Sequence, residues 1–293
     1  MSHKAGFVNI IGNPNVGKST LMNAFVGERL SIITSKAQTT RHRILGVVNG
    51  EDFQVVLSDT PGIIKPAYEL QSSMMNFVKS AFEDADILLY MVEVGEQELK
   101  DESFFNRIIY SEIPVLLLLN KIDTTDQVTL EMQMDYWKTK VPNAEVYPIS
   151  ALNNFNVREV FDRIVQLLPE SPAYYPKDTL TDKPERFFVN EIIREKILLH
   201  YKKEIPYSVE VVTEEFFEDE EIIRIRSVIM VERETQKGII IGHKGLAIKR
   251  VGMESRREME RFFGKQIHIE LYVKINKDWR SNQQMLRRFG YND

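Results

Sequence analysis

The feature that most constrains this chain is a glycine-rich segment between a short apolar run and a helical pattern. The run Phe7–Ile11 predicts a buried strand, and the residues from Gly17 to about Gly27 predict a helix. Between them, Gly12-Asn-Pro-Asn-Val-Gly17-Lys18-Ser19 matches the spacing G-x-x-x-x-G-K-[ST]. Backbone N–H groups of such a loop surround phosphate oxygens, a lysine reaches the outer phosphates, and a hydroxyl binds Mg²⁺. The sequence therefore predicts a nucleotide-phosphate site.

A second strand end supplies a metal-binding carboxylate. The apolar residues Val55–Leu57 lead into Ser58-Asp59-Thr60-Pro61-Gly62. A carboxylate in this position completes the magnesium shell beside the phosphates, and Gly62 can donate its backbone N–H to the γ-phosphate. The order of the two motifs along the chain predicts that they meet at one edge of a sheet.

A third strand end selects the base. Leu116–Leu119 is followed by Asn120-Lys121-Ile122-Asp123. A carboxylate at Asp123 can accept hydrogen bonds from the N1–H and the exocyclic amine of guanine, whereas adenine presents an acceptor at N1. We therefore expect GTP and GDP as ligands. An ATP-dependent P-loop enzyme is the alternative, and Asp123 argues against it.

Alternating strand and helix patterns predict an α/β domain with a mostly parallel sheet, followed by a smaller α+β domain. Three prolines within residues 169–176 exclude a helix interior and indicate a linker. The predicted organisation is a nucleotide-binding domain over 1–170, a proline-bearing linker over 171–184, and a second domain over 185–293 that ends in a helix.

Composition excludes several classes of protein. The chain has no cysteine, so disulfides, thiolate catalysis and cysteine-ligated metals are excluded. The longest apolar runs are far shorter than the roughly 20 residues of a membrane span, and the first residues carry no apolar signal segment. We therefore expect a cytoplasmic protein.

The second predicted domain carries a candidate polyanion site. Gly242-His243-Lys244-Gly245 lies between two predicted helices, and residues 237–288 contain 13 basic and five acidic residues. Two glycines let the backbone approach a sugar–phosphate chain, and the neighbouring apolar residues can form a groove for unstacked bases. The predicted RNA contacts are Gly242, His243, Lys244, Gly245, Lys249 and Arg250. As an alternative, the acidic segment 204–221 could make this domain a protein- or membrane-docking module.

Residues 7–168 resemble a translation-factor-class GTPase domain. By that resemblance, Ser150-Ala151-Leu152 forms a loop that touches guanine through backbone N–H groups. Gln38-Thr39-Thr40-Arg41 resembles the first switch, in which one threonine joins the Mg²⁺ shell. Thr40 is favoured because related domains end this motif in Thr-Arg, and Thr39 is the alternative.

Two positions bear on hydrolysis. Ile63 stands where Ras-like enzymes place the glutamine that orients the attacking water, and an alkyl side chain cannot orient water. We therefore expect a slow intrinsic rate, with the water ordered by another group. In similar GTPases an asparagine at the position of Asn15 helps to bind K⁺, so K⁺ is a possible second cation.

The candidate residues form three sets. The nucleotide set is Gly12, Asn13, Pro14, Asn15, Val16, Gly17, Lys18, Ser19, Thr20, Asp59, Thr60, Pro61, Gly62, Ile63, Asn120, Lys121, Asp123, Ser150, Ala151 and Leu152. The magnesium set is Ser19, Thr40 and Asp59. The residues expected to stabilise the transition state are Lys18, Thr40 and Gly62.

The whole chain resembles the Era family, bacterial GTPases of small ribosomal subunit assembly, in which the second domain is a type II KH domain. The resemblance rests on Ser35–Arg43, Asp59–Ile63 and Gly238–Gly245. It implies a GTP hydrolase whose nucleotide state regulates binding to the 3′ end of small-subunit ribosomal RNA during 30S biogenesis. It also implies contact with the small ribosomal subunit and peripheral association with the inner face of the cell membrane. We further expect a monomer that binds no DNA.

Overall fold

The computed structural model describes residues 3–291 and divides into two compact units. The first contains the chain up to Ala67 together with Gln71–Asp182, and the second contains Tyr68–Leu70 and the residues from Lys183 onward. The predicted domain boundaries remain a prediction. No helix within residues 3–291 combines the length and the apolar character needed to cross a membrane.

The first unit is a six-stranded sheet covered by helices. Its elements are β1 Lys4–Gly12, α1 Lys18–Val26, β2 Ile44–Asn49, β3 Phe53–Asp59, α2 Glu69–Glu83, β4 Ile87–Glu93, α3 Glu102–Ile109, β5 Val115–Asn120, α4 Gln127–Lys140, β6 Ala144–Pro148 and α5 Val157–Leu167. The strand order is β2-β3-β1-β4-β5-β6, and only β2 runs antiparallel to its neighbour. The mostly parallel α/β sheet predicted from the sequence is confirmed.

Burial explains why this sheet could be predicted. Strands β4 and β5 are almost continuously buried, because helices cover both faces of a parallel sheet. Strands β3 and β4 pair with opposite edges of β1, so the strands that follow β1 in the chain are added to the sheet on both sides of it. In such sheets ligands bind at the carboxyl ends of the strands, near the point where the direction changes.

The second unit is a three-stranded sheet packed against helices. Its elements are α6 Glu185–His200, β7 Glu210–Glu218, β8 Ile222–Val231, α7 Glu234–Ile241, α8 Leu246–Phe263, β9 Gln266–Ile275 and α9 Gln283–Arg288. The order is β7-β8-β9, with β7 antiparallel and β9 parallel to β8. The core joins α6 and α8 to the inner face of the sheet. The smaller α+β domain that the sequence predicts is confirmed, with its Gly242–Gly245 turn between two helices and a helix at its end.

Two details of this unit differ from what the sequence pattern predicts. The sequence pattern predicts a helix over Glu185–Glu204 and a strand from Tyr207. Instead, α6 ends at His200 and β7 starts at Glu210, because Ile205–Tyr207 forms a short 3₁₀ turn around a proline. The apolar pattern places Tyr272 in the core, but its side chain is 48% exposed. Side chains alternate along β9, so Tyr272 lies on the outer face while Leu271 packs against the core.

Candidate functional site

The loop after β1 has a backbone that requires glycine. Gly17 has φ of +108°, in the left-handed region. A Cβ on Gly12 would lie 2.2 Å from the backbone oxygen of Met91. A Cβ on Gly62, which follows β3, would lie 2.6 Å from Pro14 Cα. These close approaches bring the ends of β1, β3 and β4 together at one edge of the sheet.

A cluster of oxygen atoms lies where α1 begins. Ser19 Oγ donates to Asp59 Oδ2 at 2.7 Å, and Thr40 Oγ1 lies 3.0 Å from Ser19 Oγ and 3.3 Å from the same carboxylate oxygen. Asp59 is fully buried, and its Oδ1 has no hydrogen-bond partner within residues 3–291. Burial raises the pKa of Asp59, while the Ser19 hydrogen bond and the charge of Lys18 oppose the rise.

This cluster fits Mg²⁺, because hydroxyl and carboxylate oxygens are the ligands that magnesium prefers. The structure brings Thr40, and not Thr39, to Ser19 and Asp59. Thr39 Oγ1 instead donates to the backbone oxygen of Lys36 at 2.6 Å and lies 2.6 Å from Thr34 Oγ1. Of the two threonines that the sequence left open, Thr40 therefore has the position of a metal ligand.

Lys18 is a buried cation beside this cluster. Its side chain is 6% exposed, and Nζ donates to the backbone oxygens of Gly12 at 3.1 Å and Asn13 at 2.8 Å. Burial lowers the pKa of Lys18 to about 8, while the carboxylates of Asp59 and Glu96 oppose the shift. A cation desolvated in this way gains strongly from an anionic ligand such as a phosphate.

The opposite end of the site is organised by Asn120. Its Nδ2 donates to Val16 O at 2.7 Å, and its Oδ1 accepts from Ala151 N at 2.9 Å. Ser150 Oγ donates to Asp123 Oδ1 at 2.6 Å. Asn120 thus joins the phosphate loop to the Ser-Ala-Leu loop. The N–H of Ala151 is bonded to Asn120 here, a detail that the sequence does not predict.

One cavity of about 340 Å³ connects these parts. The sequence-predicted residues that line it are Pro14, Asn15, Gly17, Lys18, Ser19, Thr20, Thr40, Thr60, Gly62, Asn120, Lys121, Asp123, Ala151 and Leu152. The other predicted residues do not line it, although Asp59 is hydrogen-bonded to Ser19 and Thr40, which do: Gly12, Asn13, Val16, Asp59, Pro61, Ile63 and Ser150. Ile32, Ile33, Thr34 and Thr124 also line it and were missed, because no spacing rule marks them.

Three predicted residues have side chains that do not face a ligand in the cavity, because two are bonded to other residues and one is buried. Asn13 donates to Glu96 Oε1 and to the backbone oxygen of Glu98, so only its backbone can face a ligand. Lys121 pairs with Glu93 at the end of β4. Ile63 is fully buried. The alkyl group after Gly62 is therefore unable to reach a water in the cavity, in agreement with the sequence argument.

The second unit contains a separate groove. The turn between α7 and α8 has positive φ at Gly242 (70°), Lys244 (49°) and Gly245 (76°), and a Cβ on Gly242 would lie 2.6 Å from Ala247 Cβ. A cavity of about 310 Å³ lies between α8 and β9. Its lining is apolar with three polar side chains: Ile248, Lys249, Gly252, Met253, Arg256, Ile267, His268, Ile269 and Leu271.

Two neighbouring basic residues of α8 have different surroundings. Lys249 lines the groove, whereas Arg250 does not and donates its Nε to Glu254 Oε1 at 3.0 Å. Sequence reasoning placed both in the RNA site. It missed Met253 and His268, because the groove brings together a helix and a strand whose relative position no local motif reveals.

These two sites define the class of protein: a P-loop guanine-nucleotide-binding domain joined to a KH domain. The family pattern described as 50S ribosome-binding GTPase matches residues 7–121, and that of the KH domain matches residues 204–280. GTPase Era of Syntrophus aciditrophicus is 46% identical over 293 residues, which cover 99% of this chain and 96% of that protein. The chain belongs to the Era family of GTPases.

Two solved structures are also similar over nearly the whole chain. One is Era in complex with MgGDPNP and nucleotides 1506–1542 of 16S ribosomal RNA, at 38% identity and a TM-score of 0.94. The other is an Aquifex aeolicus Era variant bound to GDP·AlF4⁻, with the same identity and TM-score. In both cases the match covers 99% of this chain and 100% of the other.

Proposed function

We propose that this protein hydrolyses GTP and that its nucleotide state regulates binding to the 3′ end of small-subunit ribosomal RNA during 30S biogenesis. The observation that carries the proposal is the single cavity that begins at the Ser19–Asp59–Thr40 oxygen cluster and ends at Asp123. A guanosine triphosphate with its magnesium fits this order of groups. The related Era structure with MgGDPNP and a 16S ribosomal RNA segment supports both ligands.

The residues of the first unit have distinct roles in hydrolysis. Lys18 and the N–H groups of the loop bind the β- and γ-phosphates, and Gly62 donates its N–H to the γ-phosphate. Ser19, Thr40 and Asp59 hold Mg²⁺, which neutralises charge that develops on the phosphate oxygens. Because these groups are already bonded to one another in a largely buried cluster, little reorganisation is needed when the charge develops.

Ile63 stands where a side chain could position the attacking water, but it cannot do so. Because the Ile63 side chain is buried and apolar, the intrinsic rate of hydrolysis is expected to be slow. Asn15 lines the cavity and donates its Nδ2 to Ser35 O at 3.0 Å, which places an amide and a carbonyl oxygen near each other beside the phosphates. We propose K⁺ as a second cation there. Equal hydrolysis rates in Na⁺ and K⁺ buffers would remove that proposal.

The groove of the second unit is the proposed RNA site. Lys249 lines the groove and supplies positive charge, the exposed Lys244 lies in the turn before α8, and the apolar lining suits unstacked bases. Gly242→Asp should abolish binding to a single-stranded fragment of small-subunit ribosomal RNA, because the side chain meets Ala247 and adds a negative charge. Unchanged affinity in a filter-binding assay would instead favour a protein- or membrane-docking role.

Regulation is tested by comparing RNA affinity with a non-hydrolysable GTP analogue and with GDP at one stated salt concentration. A difference between the two nucleotides is expected, and equal affinities would contradict regulation. The monomeric state and the peripheral membrane contact are also proposals. Sedimentation equilibrium tests the first, and flotation with vesicles of anionic lipid tests the second.

A further inference from the structure

The segment that leads to the second unit covers an edge of the first sheet. We call residues 174–182 the edge segment. Val47 N, on the outer side of β2, donates to Leu180 O at 2.8 Å, and Thr181 forms an antiparallel bridge with Gly46. Strand β2 is the last strand on this side of the sheet. The edge segment therefore satisfies backbone groups that an edge strand would leave to solvent.

The edge segment is attached to the first unit at both of its ends. At the end far from the second unit, which we call the far end, the Gln54 side chain accepts from the N–H groups of Tyr174 and Tyr175 at 2.8 and 2.9 Å and donates to Tyr175 O at 2.8 Å. At the end next to the second unit, which we call the near end, Leu45 N donates to Asp182 Oδ1 at 2.9 Å. Thr181 Oγ1 donates to Leu45 O at 2.6 Å. Both outward backbone groups of Leu45 are thus bonded to the last two residues before the second unit.

The near end is directly connected to the metal cluster. In the pairing of β2 with β3, Ile44 lies opposite Asp59 and Leu45 lies opposite Ser58. Thr40, whose hydroxyl lies 3.3 Å from Asp59 Oδ2, is only five residues before Leu45. A change at Thr40 can therefore reach Leu45 through a short stretch of backbone whose end is hydrogen-bonded to β3.

We propose that the contacts of Thr181 and Asp182 with Leu45 transmit nucleotide occupancy to the point where the chain enters the second unit at Lys183. The inference rests on the proposed function, because its measure is RNA affinity. A nucleotide shifts RNA binding only if the two states differ in an element that both ligands influence. Binding of Thr40 to a nucleotide-bound metal fixes the start of β2, and the near-end contacts extend that constraint to Asp182.

The test compares paired substitutions in the full-length protein. The readout is the ratio of RNA dissociation constants with GDP and with the GTP analogue, for a single-stranded fragment of the small-subunit ribosomal RNA 3′ end. Asp182→Ala and Thr181→Val remove the near-end contacts and should bring this ratio toward one. Asp182→Asn and Thr181→Ser keep the contacting oxygens and should keep the wild-type ratio. Gln54→Ala loosens only the far end and should also keep it.

Two further measurements separate coupling from folding. Affinity for the GTP analogue should stay within about twofold of wild type in every variant, since none of these side chains lines the nucleotide cavity. Insertion of Gly-Ser-Gly-Ser after Asp182 keeps the contacts of Thr181 and Asp182 with Leu45 but makes the connection to the second unit flexible, and it should also bring the ratio toward one.

The outcomes distinguish this inference from the proposed function. A wild-type ratio of one contradicts regulation itself, and with it this inference. If the wild-type ratio differs from one and survives in Asp182→Ala, in Thr181→Val or in the insertion variant, only the inference is overturned. If the ratio moves as far toward one in Gln54→Ala as it does in Asp182→Ala, the inference is overturned too, because the near end would then have no special role.

Discussion

The two sites of this protein present charge in opposite ways. In the nucleotide site, Lys18 and Asp59 are buried, and the oxygens of the metal cluster are hydrogen-bonded to one another. In the second unit, Lys249 of the groove and Lys244 of the turn before α8 are exposed and have no ion pair within the described residues. Buried, preorganised groups act through a low dielectric and are little affected by salt, whereas exposed cations are screened. We therefore expect tight, salt-insensitive nucleotide binding and weaker, salt-dependent RNA binding.

The largest expected effect tests the buried charge. Lys18→Ala should lower GTP affinity by about 100-fold or more, because charge-assisted hydrogen bonds in a desolvated site are the strong ones. Equilibrium titration with a fluorescent GTP analogue measures this loss. Lys249→Ala is the matched control, and it should leave GTP affinity unchanged. Full GTP uptake by Lys18→Ala would overturn the assignment of the site.

Removal of the metal should have the next largest effect. Chelation with EDTA should weaken GTP binding of the wild-type protein by roughly tenfold or more, because the triphosphate then faces Asp59 without a neutralising cation. Asp59→Asn should lose most of this Mg²⁺ dependence. Isothermal titration with and without Mg²⁺ tests both, and Mg²⁺-independent binding to the wild type would contradict the oxygen cluster as a metal site.

The same difference between the sites determines how well each can be predicted from the sequence. The nucleotide site is built at strand ends, where a glycine or a carboxylate has one local role, so the motifs alone were enough to place Gly62, Asp59 and Asn120. They were not enough to place Ile33, because its position in the cavity depends on how a long loop folds back.

The groove and the edge segment depend on contacts between residues far apart in the chain. His268 reaches the groove only through the position of β9 against α8, and the attachment of Asp182 to Leu45 spans 137 residues. The prolines within residues 169–176 predict that this part of the chain is not helical. They do not predict that the edge segment pairs with the edge strand β2.

A smaller effect tests whether neighbouring cations differ. Lys249→Ala should weaken RNA binding and make the slope of log affinity against log salt shallower by about 0.7, the value for one phosphate contact on a single strand. Arg250→Ala should change the slope by less than half as much, because Glu254 already compensates the charge of Arg250. Filter binding at four or more salt concentrations measures both slopes. Equal slope changes would show that the ion pair with Glu254 does not reduce the contribution of Arg250 to RNA binding.

The smallest effect tests that ion pair directly. Glu254 has both oxygens engaged: Oε1 accepts from Arg250, and Oε2 lies 2.6 Å from His200 Nε2. Although burial opposes it, the hydrogen bonds from Arg250 and His200 keep the pKa of Glu254 below its usual value, so the residue is an anion next to the proposed RNA contacts of α8. Glu254→Gln keeps the shape and removes the charge.

Removing this anion should tighten RNA binding by about twofold to threefold at low salt, since one partly exposed charge several ångströms from a phosphate is heavily screened. In the Glu254→Gln background, Arg250→Ala should then weaken binding more than it does in the wild type. Weaker RNA binding by Glu254→Gln would mean that the carboxylate positions Arg250 for the phosphate instead of neutralising it. The groove would then be preorganised by its own ion pairs, and the contrast with the nucleotide site would be one of degree only.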